Sequence, residues 1–312
     1  MDKKYFAFCG SDGTMLPAVI WRPDSTRAVL QIVHGMTEHM DRYENFAAEM
    51  VSHGIAVAGF DLRGHGKNPG NKDVASFGIG GWQASVEDIH QFHEHLQQLF
   101  PGIPQFILGF SLGSFLLREY LTAHSDEESL SGAIIAGTGH QPRWLLSIIM
   151  AIVKGELKKS GFDRTTDLVR QLSFGAYNQK FKPNRTIADW LCANSLELDD
   201  YLADSLVRKD ISAGLFLELL ESMKRTGSVF EYDGWDTALP ILLISGQDDP
   251  VGNAGKSITA LYQRMRKSGL EEVTMQLLSN VRHDLLHEDS RASDFLVRWL
   301  ESHIHNTHGE NL

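Results

Sequence analysis

Gly109-Phe110-Ser111-Leu112-Gly113 is the first place in this chain where residue types and spacing can do chemistry. A serine between two glycines suits a sharp turn that lifts the hydroxyl clear of the backbone, because glycine lets neighbouring chain approach without a Cβ clash. A serine hydroxyl is a weak nucleophile until a base takes its proton and a third group orients that base. The C-terminal half offers both. Carboxylates follow the apolar run ILLIS in Gly246-Gln247-Asp248-Asp249-Pro250, and His283 follows VTMQLLSN. Asp248 competes with Asp249, which is preferred because it lies farther beyond the run and precedes Pro250. His287 competes with His283 but falls four residues deeper into the next segment. Such a set attacks a carbonyl, so negative charge must be met on an oxygen by two N–H groups. Leu112, after the serine, supplies one. Met36, in the His34-Gly35-Met36 turn after AVLQIV, supplies the other.

These residues need elements that bring them to one place. Residues 5–8 and 15–21 read as an opening hairpin around Ser11-Asp12-Gly13. AVLQIVHG (28–35), IAVAGFD (55–61), QFILGF (105–110), LSGAIIAG (130–137), LPILLISG (239–246) and VTMQLLS (273–279) are short apolar runs, as expected of strands buried on both faces. Helical spacing falls between them, over 41–53 with Gly54 as its stop, 82–100 ended by Pro101-Gly102, 111–124, 256–268 and 291–303. Strand–helix alternation predicts an α/β fold with a mostly parallel sheet and helices on both faces. The alternation lapses over 139–235, which reads as helical without an apolar strand. The expected organisation is a core of 1–138 and 236–312 with a helical cap inserted at 139–235. Ligand sites in open α/β sheets form at the carboxyl edge of the strands, where Ser111, Asp249 and His283 are all expected.

Composition narrows the partners. With 29 basic against 40 acidic residues the net charge is −11, and no dense basic patch offsets it, so nucleic acid is not an expected partner. Cys9 and Cys192 make no disulfide framework and are expected to stay reduced. The first ten residues lack the apolar core of a signal peptide, and the longest nearly apolar run, Trp144–Val153, is too short to span a bilayer of about 30 Å. A soluble cytoplasmic protein is expected.

The chain resembles the branch of serine α/β-hydrolases that holds monoacylglycerol lipases, bacterial lysophospholipase-like esterases and S33-type serine aminopeptidases. The stretches that carry the resemblance are VHGMTEHMDRYENFAAEMVSHGIAVAGFDLRGHGKNPG (33–70), LGFSLGS (108–114), ISGQDDPVG (244–252) and VRHDLLHE (281–288), with DWLCANSLELDDYLADSL (189–206) similar to the cap of bacterial members. The resemblance implies the α/β-hydrolase fold, a Ser111–His283–Asp249 triad, oxyanion donors at Met36 and Leu112, no cofactor, and a small-molecule carboxylic ester with an apolar acyl chain as substrate. Phe110 departs from the histidine that many members carry before the nucleophile.

Trp144–Val153 is expected to be a cap helix whose apolar face packs on the core, lines an acyl pocket or touches a lipid interface. His90, His93 and His95 are read as a solvated helix face and not as a metal site, as are His303, His305 and His308 at the terminus. Glu38 and Arg42 are expected to pair, with Asp61 and Arg63 nearby, as scaffolding of the oxyanion loop. An aminopeptidase is the alternative enzyme, with Glu197, Asp199 or Asp200 holding the substrate ammonium. A catalytically silent receptor on the same fold is the alternative from another class.

Overall fold

The computed structural model describes residues 1–125, 130–227, 232 and 234–304. Its opening hairpin pairs β1 (Asp2–Cys9) with β2 (Met15–Arg22) antiparallel along the whole length of both, so β1 starts three residues before the apolar stretch. The turn is closed by the Thr14 N–H donating to Asp12 Oδ1 at 3.0 Å, with Gly13 at φ 85°. The buried runs form β3 (Ala28–Val33), β4 (Ile55–Phe60), β5 (Gln105–Phe110), β6 (Gly132–Ala136), β7 (Ile241–Gly246) and β8 (Val273–Leu278). The eight strands lie in the order β1-β2-β4-β3-β5-β6-β7-β8. β2 joins β4 antiparallel, and every later pairing is parallel.

Alternate side chains of these strands feed two cores. Val29, Val33, Ile107 and Leu243 pack with α2 (Gly81–Leu99), α3 (Leu112–Ala123) and α7 (Lys256–Lys267). Leu30, Ile32, Phe106, Leu108, Leu242 and Ile244 pack with α1 (Glu44–Ser52) and α8 (Ser290–Ile304). Parallel register then decides where the chemistry sits. Phe110 pairs with Ala136, Ala136 with Ile244 and Ile244 with Gln276, so the chain leaves β5, β7 and β8 at one edge. Val33 pairs with Gly109, which brings the His34-Gly35-Met36 turn to the same edge.

Between β6 and β7 the chain leaves the sheet. Its described residues form α4 (Arg143–Ser160), α5 (Ser195–Ala203), α6 (Ala213–Arg225) and shorter turns. Among the described residues this block holds one short pairing, which is not an apolar strand. Asp210–Ile211 pairs in parallel with Val74–Ala75, a two-residue strand too short and half polar for periodicity to reveal.

The histidine face of α2 needs a correction. His93 is fully buried with its ring edge-on to Tyr120 at 6.5 Å, and His90 stacks on His124 at 4.0 Å. Burial pushes the His93 imidazole down to about 4, which keeps it neutral. His90 and His93 meet α3, while His95 lies half-exposed against Phe6 and Phe8 of β1, so the three do not form one solvated face. At the C-terminus His303 packs on Trp299 at 4.4 Å, while His305 and His308 lie outside the described residues.

Candidate active site

Ser111 sits at the turn between β5 and α3 with φ 51° and ψ −113°, a conformation that L-residues rarely adopt. The surrounding packing enforces it. A Cβ at Gly113 would lie 2.0 Å from the Val33 carbonyl oxygen, and one at Gly109 would lie 2.4 Å from the Gly113 oxygen. Both glycines are therefore steric requirements of the elbow. The Ser111 N–H donates to the Ala136 carbonyl at 2.9 Å, tying the turn to the next strand.

The structure brings Ser111, His283 and Asp249 together. His283 Nε2 lies 2.9 Å from Ser111 Oγ, and His283 Nδ1 lies 2.9 Å from Asp249 Oδ2. Asp249 is fully buried and is held by the Val251 N–H at 2.8 Å on Oδ1 and the Ser245 hydroxyl at 3.2 Å on Oδ2. Asp248 is exposed, and its backbone N–H donates to the Val281 carbonyl. His287 turns away from Ser111, with Nδ1 2.5 Å from Asp284 Oδ1. Burial disfavours the His283 imidazolium, but the charge and hydrogen bond of Asp249, together with the charges of Asp284 and Glu38, outweigh it and raise the pKa above the ordinary histidine value.

The turn after β3 is held at both ends of one residue. The Leu62 N–H donates to His34 Nε2 at 2.9 Å, so the His34 proton sits on Nδ1, which donates to the Gly35 carbonyl at 2.7 Å. Burial pushes His34 down to about 3, so the ring is neutral. The Gly35 N–H donates to Glu38 Oε1 at 2.5 Å. In a trans peptide the Gly35 carbonyl and the Met36 N–H point in opposite directions, so anchoring the one aims the other. Leu112 occupies the first turn of α3, where N–H groups lack an intrahelical acceptor.

The expected scaffolding divides in two. Glu38 and Arg42 do pair, at 3.4 Å, and Arg42 also meets Asp284 at 2.9 Å. Asp61 braces this region by accepting the Met40 and Lys67 N–H groups, each at 2.8 Å. Arg63 goes elsewhere. It pairs with Asp88 and Asp12, each at 2.7 Å, and so ties the opening turn to α2.

The segment between β6 and β7 closes over the serine. Phe174, Trp190, Leu191 and Tyr201 join Met36, Phe110, Ser111 and His283 around a cavity of only ≈ 30 Å³. The Tyr201 hydroxyl lies 2.9 Å from Thr37 Oγ1, and the Arg208 guanidinium donates to the Gly64 and Gly66 carbonyls at 3.2 and 2.7 Å. Trp190 has its ring centroid 5.1 Å from that of His283, as does Phe110. Trp190 lies in the DWLCANS stretch, where nothing local marks a tryptophan as the one that meets a histidine from another element. Of the acids considered for an ammonium site, Glu197 faces Arg42 at 3.4 Å, Asp199 pairs with Arg185 at 2.7 Å and Asp200 is exposed.

On α4 the apolar run splits. Leu146, Met150 and Val153 are buried, while Trp144, Ile148 and Ile152 are 66%, 52% and 41% exposed and form one ridge at i, i+4, i+8 spacing. Among the described residues no helix is long and apolar enough to cross a membrane. Both cysteines are free, and burial pushes the Cys192 thiol up to about 12.

Comparison with known proteins places this architecture. Human monoglyceride lipase is 24% identical over 281 residues, covering 89% of this chain and 82% of that protein. A monoacylglycerol lipase of Mycolicibacterium smegmatis is 24% identical across 96% of this chain and 97% of its own. The crystal structure of a thermostable carboxyl esterase from Bacillus coagulans superimposes with a TM-score of 0.83 at 24% identity, covering 97% and 99% of the two chains. Residues 24–290 match the Hydrolase_4 family, described as serine aminopeptidase, S33. With that match over most of its length and the sheet described above, the chain belongs to the S33 serine aminopeptidase family of α/β-hydrolases.

Proposed function

We propose that the protein cleaves fatty-acyl esters such as monoacylglycerols or lysophospholipids through Ser111, His283 and Asp249. The enzyme is a carboxylic ester hydrolase. His283 Nε2 takes the Ser111 proton as Oγ attacks the ester carbonyl; Asp249 holds the tautomer and stabilises the imidazolium. The Met36 and Leu112 N–H groups receive the oxyanion. The imidazolium then protonates the leaving alcohol, and water releases the acid from the acyl-enzyme by the same route. No step requires a cofactor. The observation that carries this reading is the pair of 2.9 Å contacts from one buried imidazole to a strained serine and a buried aspartate.

Residues 139–235 act as a cap in this reading. The space of ≈ 30 Å³ beside Ser111 holds about one or two waters, which suits a cap that shifts to admit an ester. The aromatic lining suits an acyl chain, and the exposed Trp144-Ile148-Ile152 ridge suits contact with a lipid surface that delivers it. The free cysteines fit a reducing compartment such as the cytoplasm. An aminopeptidase is less well supported, because Glu197 and Asp199 are ion-paired, and Glu38 and Asp284, which line the cavity, are engaged with Arg42. A silent receptor would have no use for the strain at Ser111.

The test is hydrolysis of p-nitrophenyl esters from C2 to C16 by wild type and Ser111→Ala, with fluorophosphonate labelling. Turnover with a maximum at medium or long chains, lost by several orders of magnitude in the variant, is expected. Absence of turnover at every length in the wild type would overturn the reading.

A further inference from the structure

His283 is held in its own plane by two hydrogen bonds, one from each ring nitrogen. Those bonds leave the ring free to tip about the line joining the two nitrogens. The neighbours that oppose tipping are Phe110, from the core, and Trp190, from the cap, with ring planes inclined at 33° and 31° to the imidazole. Trp190 is itself backed by Phe174 at 5.8 Å and Tyr177 at 5.2 Å, so its ring has little room to move.

The backbone around both residues is fastened in the same way. Arg282 Nη1 donates to the Asp189 carbonyl at 2.5 Å and the Cys192 carbonyl at 3.0 Å. The Asp284 N–H donates to the Leu191 carbonyl at 2.7 Å. Glu288 accepts the Arg282 N–H at 3.2 Å and the Ala193 N–H at 2.6 Å, clasping the two segments from outside. Thus the residues on either side of His283 in sequence are bonded to the residues on either side of Trp190.

We propose that Trp190 is a positioning residue for His283, and that the cap segment 189–193 and the histidine loop 281–284 form one unit that holds the base in register with Ser111. The proposal rests on the esterase reading above and adds a residue from the cap that packs on the ring of the base. It also divides the cap: the part that opens for substrate is elsewhere in 139–235, because lifting 189–193 would release the ring.

Steady-state kinetics on p-nitrophenyl acetate and decanoate test it, using Trp190→Leu, Trp190→Phe and Arg282→Gln beside wild type and Ser111→Ala. A mispositioned base costs about 10²-fold, so Trp190→Leu is expected to lower kcat by that order on both esters with KM for acetate little changed. Trp190→Phe, which keeps a flat ring, should recover most of that loss. Arg282 does not line the cavity, so Arg282→Gln tests the fastening without altering the pocket wall and is expected to lower kcat in the same sense. Should Trp190→Leu fail to fold, Trp190→Phe and Arg282→Gln carry the test. A change in KM alone, or a loss confined to the long ester, would make Trp190 a pocket wall and overturn the proposal, as would wild-type kcat in Arg282→Gln. Wild type inactive on both esters, or Ser111→Ala active, would remove the esterase reading itself, and this inference with it.

Discussion

Glu38 Oε1 accepts the Gly35 N–H at 2.5 Å, reaching back along the loop that follows β3, and takes the Tyr43 hydroxyl at 2.7 Å on the same oxygen. Its other oxygen faces Arg42, which reaches on to Asp284 beside His283. One buried acid thereby connects the proposed oxyanion loop to the histidine loop. Glu38→Ala leaves the Gly35 N–H without its acceptor, the Gly35 carbonyl staying on His34, and removes one of Arg42's buried partners, a change that costs about 3–5 kcal/mol in comparable pairs. A lower urea midpoint is expected, together with a kcat for p-nitrophenyl esters that falls more than KM rises. Wild-type kcat in this variant would show that the brace does not serve the oxyanion.

Gly113→Ala is expected to be far worse than its one added methyl suggests. The new Cβ would lie 2.0 Å from the Val33 backbone oxygen, which cannot move without displacing β3 in mid-sheet. Overpacking of this kind costs about 1–3 kcal/mol or more. Thermal melting and fluorophosphonate labelling check it, with a lowered Tm and lost labelling as the outcome.

The acidic limb of kcat/KM reports the base. Because Asp249 raises His283 above the ordinary histidine value, activity should fall as the pH drops through a midpoint above 6.5. Asp249→Asn removes that charge. Residual activity, lower by about 10⁴, should then show its limb at lower pH. A pH–rate profile of both proteins decides this, and an unmoved limb would assign it to another group.

Stability should fall on acidification for a different reason. His34 and His65 are buried with pKa values pushed by burial to about 3, so the unfolded chain binds protons below its ordinary 6.5 that the folded chain refuses. The stability present above pH 6.5 is lost as the pH falls towards 3, by roughly 2 kcal/mol per histidine at pH 5. Urea midpoints at pH 7 and 5 check this, and His65→Gln should remove about half of the difference, His34 keeping the rest.

Replacing Trp144, Ile148 and Ile152 by serine should leave p-nitrophenyl acetate turnover unchanged, since all three are exposed and none lines the cavity beside Ser111. Sedimentation with phosphatidylcholine vesicles should weaken, and turnover of vesicle-borne monoacylglycerol should fall. Unchanged partitioning would leave this ridge without a role at a lipid surface.

Most of the frame was legible in the chain because its causes are local. Period and length marked the buried strands, glycines marked the elbow, and three loops following strands collected the residues of nucleophilic chemistry. Those signals depend on a few neighbouring residues, so they survive without knowledge of the rest. Even the choice of Asp249 over Asp248 rested on its distance beyond the strand, and Asp249 is the one that faces His283. Tertiary structure alone decided the pairings across elements. Arg63 turns from the loop after β3 to Asp88, His93 enters the α2–α3 interface, and Trp190 rests on His283 from 93 residues away. The reason is physical: periodicity shows which face of an element is buried, whereas the partner it meets depends on how two elements dock. Nothing within either element records that.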